Sequence, residues 1–323
     1  VKKIFYLYIM VKVDGWFTSY YGNKWKEAKE HMPRISAMID WKEVKYIVEP
    51  FCGSAGFSRY VFFNVPDFSG KFMWTDMDPG LIAFYKIVKE GGFAELAEKI
   101  KEDCAKIKSK EEFQAYRAGL DTGTGEGWYA MNKVRGGFRA DLFHLESLVA
   151  ASKRDYTGLE TLIDLIKSDR VIVKCQDCSV TFTECAELAE GDWKSVFVFS
   201  DPPYFETDNS YYASSVSRDV LASGCNGSYS TPDQTGIFVE VRRSMTEKKT
   251  LSLSIINHCA MLADYFSGSV CFIYDKYYNQ AHRNKHTGES FKKYTKHMIV
   301  CNAGADTFVP AAVVEKKKRA AKA

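Results

Sequence analysis

Val44-Lys45-Tyr46-Ile47-Val48-Glu49-Pro50-Phe51 runs directly into Cys52-Gly53-Ser54-Ala55-Gly56. The first eight residues are β-branched and apolar, as in a buried strand; the small residues after them let the backbone turn tightly into a helix beside a ligand. Glycine-rich turns are common, so the neighbouring segments decide the reading. Downstream, Gly70–Thr75 reads as a second strand ending at Asp76, and residues 80–90 as a helix. Residues 91–127 are charged and helical in pattern, and residues 158–168 are helical again. Further strand-like runs are Arg170–Cys175, Ser195–Ser200, Thr250–Ile256, Val270–Asp275 and Lys296–Cys301. Strands alternating with helices predict an α/β domain with a mostly parallel sheet. Residues 88–168 lack strong strands and read as a mainly helical insertion. Residues 205–233, rich in Ser, Tyr and Asn, read as a loop.

Composition sets bounds on function. The net charge of +3 gives a weak overall field, so a grip on phosphates needs local basic patches. The 19 Tyr and 22 Phe either fill the core or offer stacking faces to unpaired bases. Nine cysteines, an odd number without a secretory signal, imply reduced thiols. The opening run from Val1 to Val13 is too short to span a membrane and reads as a strand or packed arm. Residues 313–323 form a basic tail, either solvated or an aid in holding DNA or reaching a nucleus.

Asp76 ends the second strand, 20 residues after Gly56. An acid there accepts from ribose hydroxyls in dinucleotide-type folds, although a helix cap would use the same residue. Asp201-Pro202-Pro203-Tyr204 follows an apolar strand. Two prolines fix the backbone and leave the Pro202 carbonyl as an acceptor; Asp201 adds a carboxylate and Tyr204 an aromatic face. An exocyclic base amine needs two acceptors, and a flipped base needs a stacking surface. The alternative is a proline-rich turn after a strand.

The order of these blocks resembles the Dam-type (D12 class, alpha block order) S-adenosylmethionine-dependent DNA N6-adenine methyltransferases of bacteria, phages and large DNA viruses. Ser19-Tyr20-Tyr21-Gly22-Asn23-Lys24 resembles their aromatic-x-Gly-Gly-Lys block, with Asn23 in place of the second glycine. Val48–Gly56 resembles Glu-Pro-Phe-x-Gly-x-Gly, and Thr75-Asp76-Met77-Asp78 the cofactor-ribose block. Asp201–Tyr204 matches the catalytic tetrapeptide unchanged. Gln176-Asp177 stands where the family has an acid on the cofactor's adenine. Ile256-Asn257-His258 resembles a later Ser-Asn-His. The blocks span about residues 19 to 302.

The resemblance implies a Rossmann-like methyltransferase catalytic domain over residues 1–87 and 169–312, with residues 88–168 as target-recognition region. It implies S-adenosylmethionine held by Tyr20, Tyr21, Lys24, Glu49, Pro50, Phe51, Gly53, Ser54, Gly56, Asp76, Asp177 and Asp201. Lys24 suits the cofactor's carboxylate. Catalysis falls to Asp201, Pro202, Pro203 and Tyr204, and no metal is required. Within the insertion, residues 128–145 read as a hairpin or loop around Gly136-Gly137. Asn132, Lys133, Arg135 and Arg139 are its DNA-binding candidates, an exposed loop without contacts being the alternative. Lys292, Lys293 and Lys296 form a second candidate cluster. Cys175, Cys178 and Cys185 lack a matching second pair for zinc, and His282 and His286 lack the glutamate of a zinc protease.

The expected activity is methyl transfer to N6 of a flipped adenine in double-stranded DNA. N4-cytosine methylation and a catalytically inactive DNA-binding relative are the alternatives. The expected partners are duplex DNA and, in a restriction-modification setting, an endonuclease; the expected state is a monomer or weak dimer. The expected place is the cytoplasm on DNA, or the nucleus or a viral factory.

Overall fold

The strand β1, Tyr46–Glu49, stands mid-sheet, flanked by β2 (Lys71–Asp76) and β4 (Val196–Ser200), both parallel to it. The computed structural model describes residue 17 and residues 22–134, 143–154, 156–204, 231–247, 250–283 and 290–303. With β3 (Val171–Cys175), β5 (Leu251–Asn257), β6 (Val270–Arg283) and β7 (Ser290–Cys301), the sheet order is β3-β2-β1-β4-β5-β7-β6. β7 is antiparallel to both β5 and β6, and the other pairings are parallel. This is the α/β, Rossmann-like arrangement that the strand runs predict.

Alternation along each strand divides the interior into two cores. Ile47, Phe72, Trp74, Phe197 and Phe199 face one side, while Val48, Met73, Val196 and Val198 face the other. Burial on both faces explains why these strands read as unbroken apolar runs. On the aromatic side lies α2 (Gly56–Asn64), whose Phe57 stacks on Phe199 at 4.1 Å between ring centres. α1 (Trp25–Ser36) and α3 (Pro79–Lys89) share that core. The other side is covered by α9 (Cys178–Leu188), α10 (Thr231–Thr246) and α11 (Ala260–Tyr265). α3 starts sharply because Pro79 occupies its first position and the Asp78 carboxylate accepts from the Gly80 and Leu81 N–H groups.

Between α3 and β3 come α4 (Phe93–Lys106), α5 (Lys110–Ala118), α6 (Gly125–Val134), α7 (Leu145–Ser152) and α8 (Glu160–Lys167). The segment is mainly helical, as expected. It has no core of its own: Phe84 of α3 stacks on Tyr129 of α6 at 5.0 Å, within the aromatic core. One local expectation fails. Residues 128–134 belong to α6 rather than to a hairpin, because Trp128, Tyr129, Ala130 and Val134 are all buried there. The remainder of the expected hairpin, residues 135–142, lies outside the described residues. β6 and β7 run far beyond the short apolar stretches that announced them, pairing with each other out to Arg283 and Ser290.

Candidate functional site

The chain passes from β1 outward to β2 and β3, then returns to β4 on the other side of β1. Ligands in open α/β sheets bind at such a switch point, beyond the carboxyl ends of the strands. Glu49 and Ser200, which end β1 and β4, open onto that place.

After β1 the chain turns through Gly53 and Ala55, both with positive φ, at 45° and 49°. Three bonds fix the turn: Cys52 N–H donates to the Thr75 carbonyl, Gly53 N–H to Asp76 Oδ2 at 3.0 Å, and the Tyr85 hydroxyl to the Gly53 carbonyl at 2.7 Å. Glu49 turns inward, where Oε1 accepts from the Ser58 N–H at 2.8 Å in the first turn of α2. Burial raises its carboxyl to about 7 against the pull of Ser58. Pro50 and Ser54 are buried and Phe51 is half-buried. At Gly56 a Cβ would meet Asn23 Oδ1 at 2.6 Å and the Lys24 nitrogen at 2.8 Å. That glycine lets the start of α1 lie against the start of α2, and so brings Lys24 to the switch point.

Asp76 stands at the end of β2. Its Oδ2 accepts from Gly53 and its Oδ1 from the Asp78 N–H at 3.0 Å. Burial raises its carboxyl; burial and then Asp76 raise Asp78 to about 7. Asp78 is also the acceptor for the Trp128 indole N–H at 2.9 Å, which ties α6 to this corner.

At the end of β4, the Lys24 ammonium lies 2.6 Å from Asp201 Oδ2 and 5.4 Å from the centre of the Tyr204 ring. Asp201 Oδ1 is buried and, among the described residues, accepts no hydrogen bond. Burial raises the Asp201 carboxyl, Lys24 draws it back, and it settles at about 6. The Tyr204 hydroxyl is 3.4 Å from His297 Nδ1. The site thus presents a carboxylate held at one oxygen by Lys24, with its other oxygen buried and unpaired among the described residues, beside an aromatic ring.

Residues 20–153 match the model of the D12 class N6 adenine-specific DNA methyltransferases. The match is confined to this segment. It is less than half of the chain, and Asp201–Tyr204 lies beyond it. No curated protein matches the chain. Among solved structures, the rRNA methyltransferase AviRa from Streptomyces viridochromogenes is similar over 88% of this chain and 87% of that one, at 11% identity and a TM-score of 0.36.

The D12 segment contains Lys24, the β1 turn and Asp76, and the fold sets them against Asp201 and Tyr204 from outside it. Tyr20 and Tyr21 lie outside the described residues. Asp177 follows β3, and its Oδ1 caps α9, accepting from the Ser179 N–H and hydroxyl at 2.8 and 2.6 Å. It is exposed on the same sheet edge as Asp76, whose carbonyl accepts from the Gln176 N–H. Cys175 is exposed at the end of β3, whereas Cys178 and Cys185 are buried on α9. Within the D12 segment, the structure places two of the DNA-binding candidates in the interior. Asn132 is buried, and its side chain donates to the Trp128 carbonyl. Lys133 is also buried, its ammonium 5.7 and 5.0 Å from the ring centres of Tyr129 and Tyr156. Burial, with Arg154 nearby, lowers Lys133 to about 7. Arg135 and Arg139 lie outside the described residues, as do the side chains of Lys292 and Lys293; Lys296 is exposed.

Sequence reading missed a group beneath Asp201. Glu27, Tyr274, Lys276 and His297 meet there from α1, β6 and β7. Only Glu27 carried a local signal, one helical turn after Lys24.

Proposed function

We propose that the chain transfers a methyl group from S-adenosylmethionine to N6 of an adenine flipped out of double-stranded DNA. The observation that carries this reading is the half-occupied Asp201. Lys24 holds Oδ2, while Oδ1 is a buried acceptor without a donor among the described residues, next to Tyr204. A base amine brings the missing N–H. A buried acceptor left unsatisfied costs about 1–3 kcal/mol, so the site gains by taking such a donor.

The residues fit the cofactor. Each oxygen of Asp76 accepts one backbone N–H, which leaves further lone pairs for two ribose hydroxyls. Asp76 at the end of β2 and Asp201 just after β4 would favour the positive charge of the cofactor's sulfonium. When bound, S-adenosylmethionine supplies an electrophilic methyl group.

Asp201 Oδ1 accepts one N–H of the adenine amine and the Pro202 carbonyl accepts the other, aiming the nitrogen lone pair at the methyl carbon. Tyr204 stacks on the flipped ring. With Asp201 titrating at about 6, the carboxylate is ionised and acts as an acceptor at neutral pH. The proton that the amine gives up would pass to solvent by way of Asp201 Oδ1, the acceptor at its N–H. Much of the acceleration comes from holding amine and methyl in line.

The test is sequencing, with detection of modified bases, of DNA from cells that express the chain or its Asp201→Ala variant. N6-methyladenine with the parent and none with the variant is the expected result. N4-methylcytosine, or an unchanged pattern with the variant, would overturn the reading.

A further inference from the structure

Glu27 is 3% exposed, yet its two oxygens meet groups from three elements. On α1, the Lys24 ammonium lies 3.7 Å from Oε2. From β6, the Lys276 ammonium lies 2.5 Å from Oε2, and the Tyr274 hydroxyl donates to Oε1 at 3.0 Å. From β7, His297 Nδ1 lies 3.5 Å from Oε1. Burial pushes the Glu27 carboxyl up, but Lys24, His297 and Lys276 together hold it well below the usual carboxylate range. The contact is firmly seated: His31, four residues on, lies against the rings of Phe272 and Tyr274 at 5.0 and 4.4 Å.

Each neighbour of Glu27 leads to a part of the site. Lys24 leads to Asp201 Oδ2. His297 Nδ1 is also 3.4 Å from the Tyr204 hydroxyl, and burial lowers its titration, so the ring is neutral at pH 7. With its hydrogen on Nδ1, His297 donates toward both Glu27 and Tyr204. Lys276 balances the charge: the two ammonium groups of Lys24 and Lys276 face the two carboxylates of Glu27 and Asp201.

We propose that Glu27 is a positioning residue for methyl transfer, holding Lys24 on one oxygen of Asp201 and, through His297, setting the Tyr204 ring, with Lys276 balancing its charge. The inference rests on the amine-methylating reading above. Without Lys276, Glu27 would compete with Asp201 for Lys24. Without the Glu27 charge, two ammonium groups would face Asp201 alone.

The effect can be read in the acid limb of the pH–rate profile, which follows ionisation of Asp201. Among the described residues, the charged and titratable groups at Asp201 are Lys24 at the cap of α1, Glu27 of α1, Glu49 of β1, Lys276 of β6, and the Tyr204–His297 pair beside Lys24. Glu27 raises its titration and Lys276 lowers it. Single-turnover methylation at saturating DNA and cofactor should therefore show the limb displaced in opposite directions. Glu27→Gln moves it to lower pH and Lys276→Met to higher pH, each by about 1 unit. The double variant, having lost one charge of each sign, returns near the parent, and Lys276→Arg keeps the parent limb. Cofactor affinity by calorimetry stays within a few-fold in each, which shows a folded site. A merely structural role would lower rates without moving the limbs apart. Coincident limbs, or displacement of both in one direction, would overturn the proposal. If Glu27→Gln does not fold, Lys276→Met with its Lys276→Arg rescue decides the matter alone. A parent protein that methylates no adenine would instead overturn the underlying functional reading.

Discussion

Lys24→Met removes one partner of the ion pair at the centre of the site. The two charged groups are 2.6 Å apart, and their side chains are only 7% and 17% exposed. Breaking a buried pair by deleting one partner costs about 3–5 kcal/mol. At about 1.4 kcal/mol per pH unit, the lower end of that range is worth roughly two units. Asp201 titrates at about 6 with Lys24 in place. Without it, Asp201 should titrate at roughly pH 8. A protonated carboxyl presents a hydrogen where the adenine amine needs an acceptor, so the rate should follow the ionised fraction. At neutral pH the variant is about one-tenth ionised, and its single-turnover rate should be about 10-fold below the parent. The gap should close as the pH is raised past the new titration point. The assay is methyl transfer to unmethylated plasmid DNA at saturating cofactor across a pH series, with DNA affinity followed in parallel. Stability gives a second check with a definite sign. The folded-state value of Asp201 lies above its usual value, so ionising it costs fold stability as pH rises through that window. Lys24→Met widens the window, and its melting temperature should fall further behind the parent as the solution becomes more alkaline. An unchanged acid limb in a folded variant would refute the assignment of Lys24 to Asp201.

Tyr204→Ala should weaken the flipped-base complex by roughly 1–3 kcal/mol, seen as a higher KM for DNA. Tyr204→Phe keeps the stacking ring, loses the hydroxyl that faces His297 and should be milder; equal damage would mean that the hydroxyl matters and stacking does not. Asp76→Ala should weaken cofactor binding in calorimetry by about 10-fold or more while leaving the rate at saturation within a few-fold. Unchanged affinity would leave Asp76 with only its structural bonds to Gly53 and Asp78. Lys133→Met should stabilise the protein at pH 7 by on the order of 1–3 kcal/mol, because a folded-state value lowered to about 7 makes the charged lysine a liability that fades as pH rises. Denaturant melts at neutral and alkaline pH would show this, and a loss of DNA affinity in the same variant would restore Lys133 as a contact.

The fold was legible where burial leaves a continuous mark. β1, β2 and β4 are sealed on both faces, so their central residues are apolar without a break and announce themselves, while β5 does so through Leu251, Leu253, Ile255 and Ile256 between buried serines. β6 and β7 were legible only where they join the sheet. Beyond that they pair with each other, and long-range pairing leaves no periodic trace in either strand alone. α6 was misread because Asn132, Lys133 and Arg135 carry polar labels close to Gly136-Gly137. What decides the structure is the aromatic face of Trp128 and Tyr129 against Phe84, which drew Asn132 and Lys133 into the interior with it. Tertiary packing overrode a local turn signal.

The candidate site divides along the same line. Glycine turns and proline pairs constrain the backbone locally, so residues 49–56 and 201–204 could be found as motifs, and Asp76 by its place after a strand. Glu27, Lys276 and His297 impose no local constraint. Each is an ordinary residue on an ordinary element, and their relation exists only because β7 pairs antiparallel with β5, bringing His297 opposite Asn257 at the site's end of the sheet. Lys276 follows by the register of β6 on β7, where Asp275 pairs with Lys296 and Tyr274 with His297. A charge that acts on Asp201 from 174 positions before it, at Glu27, or 75 positions after it, at Lys276, cannot be inferred from spacing. It follows from strand order, and strand order places two counter-charged pairs where a single amine must find one open oxygen.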